Sequence, residues 1–368
     1  MKPIHKLFVV IAVVALGFAC VGYFAVYRSR EALQKSIGES SVALAQETLD
    51  KIDRNIYSRI EEMQAYARTL ALSKQIVSSN EEFEEIENVQ DYINQIDKEW
   101  TSAAKVTITP FMQELIRNEL SAELREKVDF YVQKYNYRVF GEVFITNKYG
   151  ANVAQTGKTT DYYQADEEWW QNAKKYGLYV ADIQYDSSAD IYSTDIAIRI
   201  DDERGNFLGV IKGVLNIKEV IKILKELEEA KKRKAYEQEP YATLHFKLLT
   251  KQGRVIYSTK KFEFLQDVSD MLLSHFIAEE EHPAYFIAKG DKPGEEEELF
   301  AHAHSEGYGD FKGLEWVLVV EYETGEIFAP VAELRNDIAT ASFAAAMLVI
   351  VIMFIVCKDY FRESHKTQ

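Results

Sequence analysis

Two uncharged apolar runs near the ends of the chain constrain its fold more than any other feature. The first reads LFVVIAVVALGFACVGYFAVY from Leu7 to Tyr27, and the second extends from Ile338 to Cys357. A helix of about 20 apolar residues spans the roughly 30 Å hydrocarbon core of a bilayer. We therefore expect two transmembrane helices, with residues 28–337 forming the folded region between them.

The charges that flank these runs predict how the chain crosses the membrane. Basic residues lie outside both runs: Lys2, Lys6, Lys358, Arg362 and Lys366. Because cytoplasmic flanks are enriched in Lys and Arg, both termini are expected in the cytoplasm and residues 28–337 outside it, on a two-pass protein of the cell membrane. Arg28 and Arg30 weaken this bias.

The first run has a second interpretation, as a cleaved signal peptide or a lipoprotein leader that ends at Cys20. The apolar stretch continues beyond Cys20 to Val26, which favours a retained anchor. The other cysteine, Cys357, also lies inside an apolar run. The chain therefore has no disulfide framework, and its folded region must be stabilised by packing.

Composition excludes one class of partner and permits a large core. The formal net charge of −16, without a stripe of Lys and Arg, argues against nucleic-acid binding. With 368 residues, 47% of them hydrophobic, the chain can bury one large core or two smaller ones.

A helical pattern follows the first apolar run. Apolar residues recur at spacings of three and four at Leu49, Ile52, Ile56, Ile60, Met63, Ala67 and Leu70. The pattern predicts a stalk helix from about Ser29 to Val77, roughly 70 Å long at 1.5 Å per residue. Its apolar stripe is suited to packing against its own domain, against a second copy, or both.

The pattern changes to short strands at Gly141. Strands are predicted on both sides of a turn at residues 147–150, and again at residues 178–184, 192–200 and 207–217. Between them, Asp166–Tyr176 is predicted to be a short helix that ends at Gly177. A second unit repeats this outline, with a hairpin around residues 251–253, a helix at Phe262–Phe276 and three further strands.

These patterns predict an α+β fold. We expect a long N-terminal helix and two tandem PAS-like antiparallel-sheet modules, with a transmembrane helix on each side. The expected segments are a cytoplasmic N-terminus (1–6), transmembrane helix 1 (7–27), a stalk and helical region (28–140), a membrane-distal module (141–217), a connector helix (218–240), a membrane-proximal module (241–325), an exit helix (326–337), transmembrane helix 2 (338–357) and a cytoplasmic tail (358–368).

This arrangement resembles the double Cache sensor domains of bacterial and archaeal chemoreceptors and sensor kinases. The resemblance covers roughly Ser29 to Arg335 and is most specific in EVFITNKYG (142–150), DEEWW (166–170) and GNFLGV (205–210). In the second module it rests on GYGDFKGLEW (307–316). The resemblance implies that the membrane-distal module binds a small ligand.

Amino-acid-binding members of the family share a tyrosine, an arginine two residues before a tryptophan that is followed by an aromatic residue, a Tyr-x-Asp on the next strand and an aspartate on the last strand. The positions that match are Tyr162, Trp169, Trp170 and Asp186. The arginine that takes the ligand carboxylate corresponds to Glu167, the tyrosine of Tyr-x-Asp to Gln184, and the last aspartate to Val214. The loss of the guanidinium argues against an α-amino acid.

The ligand site is therefore predicted at Tyr162, Trp169, Trp170, Asp182, Gln184, Asp186, Asp195 and Lys212. Because Arg199 and Lys212 are the obvious cations among several aspartates, an amine, a quaternary ammonium or a neutral polar molecule is favoured. For Asp182, Asp186 and Asp195 the alternative is a turn or capping role. For the region as a whole, the alternative is a tyrosine-rich sheet without a ligand.

The sequence offers little for catalysis. His302 and His304 lie two residues apart on a predicted strand, but no third metal ligand has a diagnostic spacing; His275 and His282 are in the same module. No phosphate-binding glycine motif or nucleophile elbow occurs, so no cofactor and no enzyme activity is expected.

The expected function is a membrane-anchored extracytoplasmic sensor of a small molecule. Because the expected tail has no output domain, such a sensor would signal through a separate kinase or chemoreceptor, and a homodimer is one expected state. The alternatives are a ligand-free scaffold or envelope subunit, a fragment of a longer receptor, and a metal-dependent ectoenzyme.

Overall fold

A computed structural model describes residues 3–236, 243–269, 284–289 and 296–364 of the chain. Its helices are α1 (Pro3–Ala67), α2 (Leu70–Glu84), α3 (Val89–Ser102), α4 (Pro110–Arg117), α5 (Glu119–Tyr135), α6 (Glu168–Tyr176), α7 (Lys218–Tyr236), α8 (Thr324–Ile327) and α9 (Ala329–Ser364). Its strands are β1 (Phe140–Asn147), β2 (Asn152–Gln155), β3 (Leu178–Val180), β4 (Gln184–Asp186), β5 (Ile191–Asp201), β6 (Phe207–Asn216), β7 (His245–Leu249), β8 (Val255–Ser258), β9 (Ala284–Lys289), β10 (Glu297–His304) and β11 (Val317–Glu323).

The strands form two antiparallel sheets of the same kind. The first has the order β2-β1-β6-β5-β3, with β4 also paired to β5, and the second has the order β8-β7-β11-β10-β9. In each sheet the first and last strands of the module are central neighbours, and the first hairpin forms one edge. The predicted α+β fold with two tandem antiparallel modules is therefore confirmed.

Helix α1 joins the two sheets into one hydrophobic core. Leu49, Ile52, Ile56 and Ile60 are fully buried, and they share a cluster with apolar residues of both sheets. Each such side chain contributes about 1.5–3 kcal/mol by leaving water. The apolar stripe of the predicted stalk helix thus packs on its own chain along this segment.

The predicted stalk helix is interrupted near the end of its stripe. Helix α1 ends at Ala67, and Thr69 adopts an extended conformation as the N-cap of α2. Leu70 therefore lies outside the buried stripe and is 65% exposed, contrary to the sequence pattern.

A buried ion pair fixes the connector helix α7 to α1. Arg59 donates to Glu219 Oε2 from Nη2 at 2.8 Å and from Nε at 3.1 Å, and both residues are buried. Its guanidinium also lies 5.0 Å from the centre of the Tyr131 ring. Since a buried charge is costly without a partner, this pair specifies where α7 packs.

The second module attaches to α1 through the loop after β10. Asp53, which is buried, accepts hydrogen bonds from Ser305 Oγ at 2.7 Å and from Gly307 N at 2.9 Å. Arg54 lies over the ring of Tyr308 at 4.1 Å. The predicted helix at Phe262–Phe276 is wrong for residues 262–269, which form turns and irregular chain; the rest lies outside the described residues.

Among the helices of the described residues, two are long and apolar enough to cross a membrane, namely α1 and α9. They lie side by side, and a Cβ on Gly22 would come within 2.8 Å of Ile338 Cγ2. Helix α9 continues without a break from Ala329 through the second apolar run.

Candidate functional site

The two faces of the first sheet differ in polarity. Residues that face α1 and α2 are apolar and buried: Val143, Ile145, Ala154, Ile196, Ile198, Ile211 and Leu215. The opposite face is covered by α6, which lies over Phe144, Ala197 and Val210. This second face carries the polar residues.

Strand register places a row of side chains across the α6-covered face. Gln155 pairs with Phe144, Phe144 with Lys212, and Lys212 with Ala197. Because directly paired residues project on the same side of a sheet, Gln155 and Lys212 share the face of Phe144. Asp195 lies on it too, two residues before Ala197.

The centre of this face is an ion pair against an aromatic wall. Lys212 Nζ lies 2.8 Å from Asp195 Oδ2 and 4.8 Å from the centre of the Trp169 ring. Asp195 is 1% exposed and also accepts a hydrogen bond from Gln184 Nε2 at 2.9 Å. The charge of Asp195 is thus neutralised, and the Trp169 face is occupied by an ammonium.

A second carboxyl cluster lies beside this pair. A bulge in β1 between Phe140 and Val143 lets Glu142 project toward Ser188, whose Oγ lies 2.7 Å from both Glu142 Oε2 and Asp186 Oδ1. One hydroxyl proton can serve only one of the two acceptors. A protonated Glu142 therefore completes a chain from Glu142 through Ser188 to Asp186.

The electrostatics agree with that protonation. Burial raises the pKa of Glu142 to about 7, and the negative charges of Asp186 and Asp195 act in the same direction. The Ser188 hydroxyl and the Lys212 ammonium oppose the shift without cancelling it. Glu142 is therefore poised between its neutral and charged forms at neutral pH.

Two small cavities lead from the carboxyl cluster to the surface. One of 230 Å³ is lined by Glu142, Thr156, Lys158 and Ser188, among others. The next, of 280 Å³, shares Lys158 and Ser188 and continues past Trp100. Lys158 Nζ donates to three carbonyl groups of the α3–α4 loop, those of Ala103, Ala104 and Thr107, which holds this loop over the opening.

A larger groove of 1350 Å³ lies on the other side of the sheet. It is bounded by α2, by the edge of the first sheet and by residues 310–313 of the second module. None of the predicted site residues lines this groove.

Five of the eight predicted site residues lie together, and the other three have different surroundings. Trp169, Gln184, Asp195 and Lys212 come together, and Asp186 lies beside them through its contacts with Ser188 and Glu142. Trp170 packs against Phe207, donates from Nε1 to Thr146 Oγ1 at 2.8 Å and has the Lys174 ammonium 5.0 Å from its ring centre.

The other two predicted residues have different surroundings. Tyr162 is buried among Trp100 and Phe111. Asp182 accepts a hydrogen bond from Trp316 Nε1 at 2.7 Å, so it contacts the second module. Asp182 Oδ1 also accepts from Ile183 N at 2.7 Å, a local backbone contact of the kind that the turn alternative predicts.

Glu142, Phe144, Gln155 and Ser188 contribute to this face but were not predicted from sequence. Glu142 offered a signal, since it is a charged residue inside the otherwise apolar strand VFGEVFI (139–145). Glu167 and Val214 stand where the family pattern has an arginine and an aspartate; Glu167 is exposed and Val214 is fully buried. Arg199 does not replace the missing arginine, because it pairs with Asp201.

The histidine pair of the second module lies on the outer face of its sheet. Burial lowers the pKa of His302 to about 4, with a smaller contribution from His304. Within the described ranges, no three His, Cys, Asp or Glu side chains are grouped as a metal site, and His275 and His282 fall outside those ranges.

The fold and site together define a two-module α+β domain with a polar site in its first module. No family model and no curated protein matches the chain. Among solved structures, it is similar to the sensory domain of the Campylobacter jejuni chemoreceptor Tlp3 with isoleucine bound (TM-score 0.45, 15% identity, 81% of this chain and 97% of that one).

Two further solved structures are similar to the chain. One is the ligand-binding domain of the Pseudomonas aeruginosa PAO1 amino-acid chemoreceptor PctC with GABA (TM-score 0.43, 10% identity, 79% of this chain and 99% of that one). The other is the extracellular domain of the histidine kinase rpHK1S-Z16 (TM-score 0.38, 13% identity, 72% of this chain and 98% of that one).

Proposed function

We propose that this protein is a membrane-anchored sensor that binds a small molecule in its first module. The observation that carries the proposal is the contrast between the two faces of the first sheet. Glu142, Asp195 and Lys212 are buried on one face, whereas the residues that face α1 are apolar. Buried charges reduce stability unless they are paired, and sites retain them for binding.

The arrangement of charges favours a protonated amine or a neutral polar ligand. Lys212 is already paired with Asp195 and Lys158 with three carbonyl groups, so neither is free to bind a ligand carboxylate; Arg125 and Arg138 line the same cavity as Glu142. Glu142 and Asp186 share a serine hydroxyl, and Asp186 Oδ1 also accepts from Ala189 N at 2.7 Å. Neither carboxyl group forms an ion pair within the described residues, so a ligand ammonium would supply a positive charge and two or three hydrogen-bond donors.

A quaternary ammonium, which the sequence also suggested, fits this arrangement less well. It has no hydrogen to donate to Glu142 or Asp186. The aromatic face that would hold it is that of Trp169, and the Lys212 ammonium lies over this face. We therefore favour primary and secondary amines.

A short segment connects the proposed site to the second module. Gln184 donates to Asp195, and Asp182, two residues earlier, accepts from Trp316 immediately before β11. Strand β11 is followed directly by α8 and α9. Ligand-induced movement of residues 182–184 would thus act on the strand that precedes the second apolar helix.

The apolar parts of α1 and α9 are proposed as the two membrane spans, with residues 28–337 outside the cytoplasm. Occupancy would then be passed to a separate signalling protein in or at the membrane.

A thermal-shift screen of the full chain in nanodiscs tests the binding function, using a panel of primary amines, neutral polar metabolites and α-amino acids. At 100 times its Kd, a ligand stabilises the folded state by about 2.7 kcal/mol. We expect at least one amine to raise the Tm and the effect to be lost in Asp186→Asn. Lys251→Gln, which removes an exposed ion pair of the second module, is the matched control.

Stabilisation by no member of the panel would refute the sensor function. Capture of a protein partner that is unchanged in Asp186→Asn would then establish the scaffold alternative. Equal stabilisation in Asp186→Asn would place the ligand elsewhere in the chain.

A further inference from the structure

Gln155 is a buried amide whose polar atoms have no hydrogen-bond partner. Its side chain is 0% exposed, and neither Nε2 nor Oε1 has a partner among the described residues. An unsatisfied buried polar group costs about 1–3 kcal/mol. A glutamine at this position is therefore unfavourable for the folded state alone.

Two other buried amides of the first module, Gln164 and Asn80, show that the fold can satisfy such groups, whereas Asn152 on the same strand leaves only its Oδ1 without a partner among the described residues. Gln164 Nε2 donates to the Asp161 carbonyl at 3.1 Å. Asn80 donates to the Leu208 carbonyl at 2.9 Å and accepts from Lys148 N at 3.0 Å. Gln155 differs from both, since donor and acceptor are both left without partners.

Gln155 lies on the ligand-facing side of the sheet. It pairs with Phe144, which pairs with Lys212 on the next strand. Adjacent strands are about 4.8 Å apart, so Gln155 is roughly 10 Å from Lys212 along this row. Glu142 is one strand away and two residues along, which places it about 8 Å from Gln155.

We propose that Gln155 is a specificity-determining residue that binds a primary carboxamide of the ligand. The inference rests on the proposed binding function and narrows its ligand class to amines that carry a carboxamide at the far end. The ammonium binds Glu142 and Asp186, and the carboxamide pairs with Gln155. A chain of about four methylenes spans the distance between these groups.

The chemistry of Gln155 selects a carboxamide over related groups. A carboxamide both donates and accepts, so it satisfies Nε2 and Oε1 together. A carboxylate only accepts and leaves Oε1 without a donor, whereas an alkyl group leaves both atoms unsatisfied. A site with unsatisfied polar groups discriminates strongly against ligands that lack their partners.

Calorimetry with matched probes tests the proposal. The full chain in nanodiscs is titrated with 5-aminopentanamide, 5-aminopentanoate and pentylamine. We expect 5-aminopentanamide to bind at least about tenfold more tightly than either of the others, which corresponds to one or two net hydrogen bonds. In Gln155→Met, which keeps the side-chain volume, the three affinities should converge.

A ligand-free measurement provides an independent readout. Because Gln155→Met removes an unsatisfied group, we expect it to raise the Tm of the unliganded protein. The control Gln164→Met removes a satisfied amide and should lower the Tm. A purely structural role for Gln155 would give the opposite sign, a fall in Tm with Gln155→Met.

Each failure has a distinct meaning. A lower Tm in Gln155→Met, or equal affinities of the three probes for the wild type, overturns the role of Gln155 and leaves amine binding intact. If neither these probes nor any member of the wider panel binds the wild type, the proposed binding function fails, and this inference fails with it.

Discussion

Buried ionisable side chains decide how the first module behaves at the scale of single residues. Glu142, Asp186 and Asp195 lie close to one ammonium, that of Lys212, so the cluster carries excess negative charge when every carboxyl is ionised. Neutralising Glu142 removes much of that repulsion. A cationic ligand removes it as well, because its charge replaces the proton. Protonation and ligand binding therefore compete for the same carboxyl group.

The first prediction concerns Glu142→Gln, which imitates the protonated acid. The pKa of Glu142 is raised from 4.5 to about 7, so between these values the folded state binds a proton that the unfolded state has released. Wild-type stability therefore falls as pH rises through this window. We expect the variant to be more stable at pH 8 by up to about 3 kcal/mol, measured by denaturant unfolding.

The pH dependence provides the control for that prediction. The stability difference between variant and wild type should shrink as pH falls from 7 and should level off below 4.5, where Glu142 becomes protonated in the unfolded state as well. A constant difference from pH 5 to pH 8 would contradict the proposed protonation. An amine ligand should also bind the wild type more tightly above pH 7 than below it.

Single residues of the site were predictable only in part. Trp169, Asp186 and Asp195 follow from the family resemblance or from their position among aromatic residues. Glu142 offered a signal as a charged residue in an apolar strand, but its link through Ser188 to Asp186 depends on how residues 186–188 pack beside β1, which the sequence pattern does not reveal. Gln155 was missed because an amide in a short strand is unremarkable until its lack of partners is seen.

At the scale of elements, residues 178–186 link the site to the second module. They contain β3, β4 and the turn between them, and this turn presents Asp182 to Trp316. Trp316 is 1% exposed, so the hydrogen bond is shielded from water and is strengthened accordingly.

The second prediction concerns Trp316→Phe, which removes the donor to Asp182. We expect the free energy of unfolding to fall by about 0.5–1.5 kcal/mol, the net contribution of one hydrogen bond, because Asp182 Oδ1 keeps Ile183 N as a donor. In the wild type, an amine ligand should slow hydrogen exchange in β10 and β11. In the variant, the ligand should still bind but should no longer slow exchange there.

Asp182→Asn is the matched control, because the asparagine carbonyl can still accept from Trp316. It should retain the ligand effect on β11. If the ligand protects β11 equally in Trp316→Phe, the signal does not pass through this hydrogen bond.

Most elements could be predicted from periodicity and turn residues. The turn residues Asn147 and Gly150 predict the hairpin of β1 and β2. The φ of Gly150 is +82°, a conformation that glycine adopts readily. The end of α1 at Ala67 was not predictable, because the apolar spacing continues through Leu70. The helix expected from Phe262 failed over residues 262–269, where apolar residues instead contact the sheet core.

At the scale of the whole molecule, α1 contacts strands of both sheets, the connector helix α7 and the C-terminal helix α9. Its 65 residues correspond to about 98 Å at 1.5 Å per residue. Along this length it carries the apolar run, the Asp53 contact with the second module and the Arg59 contact with α7. The sequence predicted a long stalk helix. Its packing against both sheets could not be predicted, because it depends on contacts between residues that are far apart in the sequence.

The third prediction concerns membrane topology. With Cys20 and Cys357 changed to Ala, Ser78→Cys should react with a membrane-impermeant maleimide in intact cells, because Ser78 is exposed on α2. Thr367→Cys should react only after the cells are permeabilised. Labelling of Thr367→Cys in intact cells would contradict the two-pass topology.

The continuity of α1 has a further consequence once one end lies in a bilayer. A helix whose apolar stretch is longer than the local hydrocarbon thickness adjusts by tilting, so the lipid composition biases the orientation of α1. Under the proposed mechanism, ligand occupancy acts through β11 on α9, which lies beside α1, and so biases the same orientation from the other end. Coupling between two effectors is reciprocal. Membrane thickness would therefore tune ligand affinity, and the protein would report on the bilayer and on its ligand together.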